Sequence, residues 1–373
     1  MIIQFRFNNF CSFRQPASIR LRAAGSKSHP LHAADLPCGP ILKTMAIYGP
    51  NASGKSQLIN ALRCCCAIIR RQLPAFPLDK KEGVLLSPPP APHLLTETLA
   101  QSSGEPVSFN IQFFSQGHFF EYGFSLKDGL PQEELLLADG KLMYQKNGEQ
   151  LLIGKIFHSR VKLASSLVSN GFFLGTFTSH CPAEYAEISS AFQAFFHQGC
   201  LFFDNSSLFP AGPSPSMSSL QIREILNQPK AHAFIQEQLH HVGLLLPEKY
   251  DSPSTGLSKL ILLLYRIYCL SQTGGVLIVD DLTAFLHHNA SQYLLRLFQD
   301  QQTPPMQLIF TTHDVSFLNR KHFRRDEIAM VCLDDSGFSR LRTLADLRVR
   351  SDANFSREYL EGKYGFIPAW EDE

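Results

Sequence analysis

Apolar and polar residues alternate with a period of two in IIQFRFNNF and ASIRLRAA, which predicts two strands within residues 1–24. A Pro-, Gly- and His-rich stretch (25–40) reads as loop. TMAIYG at 44–49 reads as a short buried strand, and Ser56–Gln72 takes up helical spacing. Residues 74–106, with SPPPAPH inside, are too proline-rich for regular structure and read as a loop or insertion. Four alternating runs follow: VSFNIQFF, HFFEYGFSL, EELLLADG and KLMYQKNGEQLLIG. Their Gln-Gly, Asp-Gly and Asn-Gly turns predict an antiparallel meander. From about 180 to 245 the spacing turns helical. Beyond 257 come a helix to about Leu270, the strand GGVLIVD, a helix at 288–300, the strands MQLIFTTH and EIAMVCLD, and a short tail. This order predicts an α/β fold: a mixed sheet, an antiparallel β meander and a short helical insertion. The expected division is a first lobe at 1–155, a mostly helical insertion at 156–245, a second lobe at 246–345 and a tail at 346–373 packed on the head.

GPNASGKS (49–56) fits GxxxxGK[ST] at every fixed position, after an apolar strand and before a helix. Glycines let the backbone fold around phosphate, and successive N–H groups point inward at the positive end of a helix. The candidate nucleotide-binding residues are Gly49, Pro50, Asn51, Ala52, Ser53, Gly54, Lys55, Ser56 and Gln57. Lys55 would bridge the β- and γ-phosphates, and Ser56 would place its hydroxyl on Mg²⁺. Asn51 would position the γ-phosphate or simply favour the turn. In GGVLIVDD an apolar strand runs into Asp280, a strand-end carboxylate suited to the magnesium shell, and Asp281, aimed at the attacking water. MQLIFTTHD carries His313 to the carboxyl edge of the sheet, where it would touch the γ-phosphate. SPSTG places Ser254 and Gly256 at a helix N-terminus, which is either an anion site or an ordinary cap.

Composition narrows the partners. The chain has 373 residues, 44% of them apolar, and a net charge of +1, so nothing global demands nucleic acid or an anionic membrane. Only 18% of residues are charged and 30 are Phe, which points to self-association or a protein partner. Nine cysteines without CxxC spacing argue against a zinc or disulfide framework and for a reducing cytoplasm. The start shows no signal-peptide pattern. Leu257–Leu270 is too short, and too interrupted by Lys259 and Arg266, to span a bilayer. A metal at His240-His241 with Glu248 is disfavoured, because neighbouring histidines point to different sides.

In that order, the P-loop, the Ser-x-Gly before a helix, the acidic strand end, Leu-His and Thr-Thr-His-Asp resemble an ABC-type ATPase. The branch is the RecF/SMC-like group, specifically the AAA-type ATPases of abortive-infection and overcoming-lysogenization defence. FRFNNFCSF looks like that group's NF-x-SF opening, YGFSLKDGLPQEELL like its Y-x-F…E-x-L meander, FLHH like its D-loop, and GKYGFIPAW like its C-terminal YG-x-IP. The resemblance implies a P-loop NTPase of the ABC-head type with ATP and Mg²⁺ as cofactors. Ser254 and Gly256 would then be the signature motif capping a nucleotide held by another subunit, Leu286-His287 the D-loop, and His313 the switch histidine. Gln112 and Gln132 are equal candidates for the Q-loop glutamine. ATP would join two heads into a homodimer or higher oligomer, and hydrolysis would release them.

Three departures stand out. Leu257 takes a position where Gln or Thr is usual, His288 takes one where Pro is common and is expected to be neutral, and Asp281 replaces the usual Glu. The shorter carboxylate falls about 1.5 Å short, and a misplacement of about 1 Å costs roughly 10²-fold in rate. Slow hydrolysis with intact binding is expected. The leading functional reading is a defence ATPase that senses phage and controls a separately encoded effector, a nuclease or toxin. The alternatives are a RecF-like DNA-binding repair ATPase, with RKHFRRDE (320–327) and RLRTLADLRVR (340–350) as its basic surface, and an ATP-bound scaffold with little hydrolysis.

Overall fold

A computed structural model describes residues 1–25, 28–74, 104–154, 171–181, 183–208, 217–246, 254–300, 303–347, 349–350 and 353–364. The SPPPAPH stretch, Glu248 and the GFIPAW part of the C-terminal motif lie outside the described residues.

The strand runs of the second half assemble with one strand of the first into a six-stranded sheet. It joins β5 (Thr44–Tyr48), β11 (Cys200–Phe203), β12 (Gly275–Val279), β13 (Met306–Thr311), β14 (Ile328–Leu333) and β15 (Ser339–Thr343) in the order β11-β12-β13-β5-β14-β15. All neighbours are parallel except β14 and β15. Period-two alternation assigns each strand's residues to two separate cores. Met45, Ile47, Val276, Ile278, Ile309 and Val331 enter the core shared with helix α1 (Lys55–Gln72). Ala46, Tyr48, Leu277, Val279, Phe310 and Met330 face the other core, with helices α6 (Thr255–Thr273) and α7 (His288–Gln299).

The meander forms as the turn signals predict. β6 (Val107–Ser115), β7 (His118–Lys127), β8 (Leu130–Ala138), β9 (Lys141–Asn147) and β10 (Gln150–Ile153) are consecutive antiparallel neighbours, and β1 (Ile2–Asn8) and β2 (Ala17–Arg20) extend the same sheet. Its inner face completes the first core. The fully buried Gln307 ties the two sheets together, accepting from Ile2 N at 2.8 Å and donating to Leu42 O at 2.8 Å. The Y-x-F…E-x-L motif closes a buried polar knot. Glu134, 1% exposed, accepts from Tyr122 Oη (2.9 Å), Tyr144 Oη (2.5 Å), Phe173 N (2.7 Å) and Leu174 N (3.0 Å).

The stretch from 180 to 245 holds helices α3 (Ala186–Ala194), α4 (Met217–Leu226) and α5 (Pro229–His241), after a short α2 (Leu174–Ser179). It is not only helical. Cys200–Phe203 pairs with β12 and forms the edge strand of the parallel sheet, so the segment contributes to the central fold. The apolar run CLFF is too short to be separated by pattern from the helical turn that precedes it. The loop expected at 25–40 likewise contains a hairpin, β3 (Ala33–Leu36) with β4 (Gly39–Leu42). The tail packs through Phe355 and Tyr359 of α8 (Phe355–Leu360) and through Tyr364.

Candidate nucleotide site

The sheet directs three strand ends to one edge: β5 into the P-loop, β12 into Asp280-Asp281, and β13 into Thr311-Thr312-His313. At the P-loop the glycines are required by space. A Cβ at Gly49 would overlap Val331 O, and one at Gly54 (φ 107°) would overlap Ser339 Oγ. Ala52, also at positive φ, and Asn51 lie exposed on the loop, as does Ser56 in the first turn of α1. Lys55 is buried, and its Nζ donates to Gly49 O and Pro50 O, each at 2.8 Å. Burial lowers its pKa, while Asp280 and Asp281 pull it back up, which places both acids within electrostatic reach of the lysine.

The opening FCSF turn is the P-loop's outer wall. Ser12 N donates to Gln57 Oε1 at 2.8 Å, Ser12 Oγ meets Ser339 Oγ at 2.6 Å, and Ser339 Oγ donates to Ser53 O at 2.7 Å. The side chain of Gln57, expected at the nucleotide, is thus engaged with that turn.

Asp281 has φ 55°, a left-handed conformation that Asp tolerates better than most residues. Its backbone is held on both sides. Asp281 N donates to Thr311 Oγ1 at 2.7 Å, and its carbonyl accepts from Lys259 Nζ at 2.7 Å and from Asn205 Nδ2 at 3.3 Å. Thr311 Oγ1 also donates to Asp280 Oδ1 at 2.6 Å, so one hydroxyl orients the Asp280 carboxylate and anchors the Asp281 main chain. Thr311, Lys259 and Asn205 are site residues that the motif reading did not single out, because their contacts are with residues far away in sequence, and for Lys259 and Asn205 with backbone carbonyls. The signal available was two polar residues ending β13 and a polar residue just beyond an apolar run.

Gln112 donates to Glu121 Oε2 at 3.0 Å and Gln132 to Leu130 O at 3.3 Å, both within the meander. Asn205 instead is the amide that follows the strand beside β12. Its Nδ2 is engaged, while its Oδ1 is buried and has no protein partner; the same is true of Ser53 Oγ. These free oxygens, the two glycines and the buried lysine beside paired carboxylates fit a nucleoside triphosphate with its magnesium.

His313 is exposed at the strand end. Burial of its ring and the Lys55 ammonium lower its pKa against the pull of Asp281 and Asp280, which favours the neutral imidazole. Ser254 caps α6, accepting from Leu257 N at 3.3 Å. Gly256 lies so close to Phe285 O that a Cβ would come within 2.5 Å. His287 caps α7, accepting from Asn289 N at 3.2 Å. His288 lies 3.5 Å from Asp314 Oδ2 and 3.0 Å from Ser316 Oγ, joining α7 to the segment after His313. The basic runs are largely engaged internally. Arg324 pairs with Asp326 at 2.9 Å, Arg340 with Asp334 at 2.8 Å, and Arg325 donates to Val349 O.

A phosphate cradle opening a helix, with acids ending a parallel strand two places away in the same sheet, defines a P-loop nucleoside triphosphatase. The chain belongs to the family described as "AAA domain, putative AbiEii toxin, Type IV TA system", which matches residues 45–319. That span contains every candidate site residue, and with it the chain is an ATP-binding AAA-family ATPase. Among solved structures it is similar to the SMC head domain from Thermotoga maritima, at 13% identity and a TM-score of 0.44, covering 92% of this chain and 98% of that one. It is also similar to an SMC head bound to the C-terminal winged-helix domain of ScpA, at 14% identity and a TM-score of 0.42, covering 92% and 97%. No curated protein matches the chain. Among the described residues, no helix is long and apolar enough to cross a membrane.

Proposed function

We propose that this protein is a slow, ATP-gated switch. Two copies close around ATP·Mg²⁺, and the closed state is the signal that an anti-phage abortive-infection system passes to a separately encoded effector, a nuclease or toxin. Lys55 and the P-loop N–H groups hold the phosphates, and Ser56 and Asp280 would hold magnesium. The metal would neutralise phosphate charge when bound. Asp281 orients the attacking water and His313 contacts the γ-phosphate. Ser254, Gly256 and His287 of each copy face the nucleotide of the other.

The carrying observation is the fixed backbone of Asp281. Its N–H and carbonyl are both engaged, so the main chain has little freedom to advance and offset a side chain one methylene shorter than glutamate. That supports slow turnover. The family description names a toxin; we assign toxicity to the partner because the chemistry of this chain gathers at the nucleotide site. Co-expression with the neighbouring open reading frame tests this assignment. Growth arrest that needs both genes and Lys55 is expected, and arrest by this chain alone would refute it.

A further inference from the structure

The lysine in the middle of α6 has a task that its place in an apolar helix conceals. Lys259 is 0% exposed, yet its Nζ donates to Asp281 O at 2.7 Å and to Ala284 O at 2.9 Å. The ammonium therefore closes the loop between the acidic strand end and α7 from the inside, gripping it at both ends. Phe203 lies on another side, its ring centroid 5.9 Å from Nζ. One turn earlier in the same helix, Gly256 abuts Phe285 O. Helix α6 thus bonds two carbonyls of this loop, at Asp281 and Ala284, and packs closely against a third, at Phe285. Two of these residues, Asp281 (φ 55°) and Phe285 (φ 64°), sit in the left-handed region that non-glycine residues rarely adopt. A conformation of that kind persists when its surroundings over-determine it, and the Lys259 contacts supply that constraint.

We propose that Lys259 is a positioning residue for hydrolysis: it locks the Asp281 main chain to α6, so that the carboxylate and the Ser254–Gly256 end of the helix move as one body. Lys259 follows Ser254 by five positions, about 7.5 Å along the axis. A phosphate docking on the helix N-terminus is therefore relayed to the hydrolytic acid through rigid helix and two hydrogen bonds. Burial drives the Lys259 pKa down to about 8 against the pull of Asp281 and Asp280, a cost that only a well-made pair of acceptors offsets. The proposal rests on the ATPase reading above for its kinetic consequence, but its structural half stands alone.

Lys259→Met keeps most of the side-chain volume, removes the charge and takes the Nζ donor away from the Asp281 and Ala284 carbonyls. Two readouts are taken on the full-length protein: steady-state ATPase kinetics, and amide hydrogen exchange of peptides covering 281–287 without nucleotide. The expected result is kcat lower by about 10²-fold with KM little changed, faster exchange across 281–287, unchanged exchange in α1, and partial rescue by Lys259→Arg. Unchanged exchange across 281–287 overturns the proposal whatever the kinetics. Faster exchange with kcat within twofold of wild type overturns the positioning role. Should wild type show no Lys55-dependent hydrolysis, the ATPase reading fails by itself, and the exchange result still decides whether Lys259 holds the loop.

Discussion

Thr311→Val removes one hydroxyl and leaves almost the same volume, and it should disable both acids together. Thr311 is 2% exposed. Its Oγ1 donates to Asp280 Oδ1 at 2.6 Å and accepts from Asp281 N at 2.7 Å. A hydrogen bond to a charged group contributes about 1.5–3 kcal/mol, and a neutral one about 0.5–1.5 kcal/mol. Both are lost, but Asp280 is half-buried and recovers part of its solvation, so a net loss of about 2 kcal/mol is expected. The larger effect is on chemistry. Without the hydroxyl the Asp280 carboxylate loses the contact that sets its rotamer and the Asp281 main chain loses one of its anchors, and a displacement of about 1 Å costs roughly 10²-fold in turnover. Nucleotide affinity should change much less, because the P-loop is untouched. The assay pairs denaturant unfolding with ATP titration and single-turnover hydrolysis. Thr311→Ser, which restores the hydroxyl, should recover most of the rate. Wild-type turnover in Thr311→Val, or equal loss in Thr311→Ser, would refute the reasoning.

Further outcomes follow from the same geometry. Glu134→Ala strands two tyrosine hydroxyls and two backbone N–H groups in the core and should cost about 3–5 kcal/mol by the scale for buried charged networks, read as a lower unfolding midpoint; a wild-type midpoint would show that the knot is not structural. Gly256→Ala drives a methyl into Phe285 O, so turnover should fall while ATP binding to the isolated chain persists, which equilibrium binding of a fluorescent ATP analogue checks. The lowered pKa of His313 means that its proton is taken up only below the usual histidine range; the stability and activity that depend on the neutral ring are present above that range and lost as pH falls through the depressed value. A pH–rate profile should therefore show an acid limb below 6.5 that His313→Gln removes. Saturating ATP·Mg²⁺ at about 100 times Kd should stabilise wild type by about 2.7 kcal/mol, and Lys55→Ala should abolish the shift seen by thermal melting.

What could be read from the sequence was whatever is local. GPNASGKS sits between its strand and helix, and the alternation of 107–153 folds into the meander, because short-range spacing dictates both. The same holds for α6 and α7, which begin at the capping residues Ser254 and His287. Contacts across the sequence were not legible. β11 is four apolar residues recognised only when β12 lies beside it, and β15 is a basic segment that pairs with β14 while its serine supports the P-loop. Asn205 and Lys259 act on carbonyls, which carry no side-chain signature, so no motif could announce them. The His288–Asp314 contact is not legible for a related reason: the substitution of a common proline reads as neutral in the sequence, and its partner lies 26 residues further on.

The central claim is that ATP assembles two copies and that Asp281 makes their release slow. The most direct measurement records molar mass by light scattering and ATP hydrolysis on the same samples, for wild type, Lys55→Ala and Asp281→Glu. The account predicts an ATP-dependent rise in mass for wild type that Lys55→Ala lacks, turnover far below the on the order of 10 s⁻¹ common for enzymes, and faster turnover with shorter-lived assemblies for Asp281→Glu. Brisk wild-type hydrolysis with no change in mass, and no gain from glutamate, would contradict it.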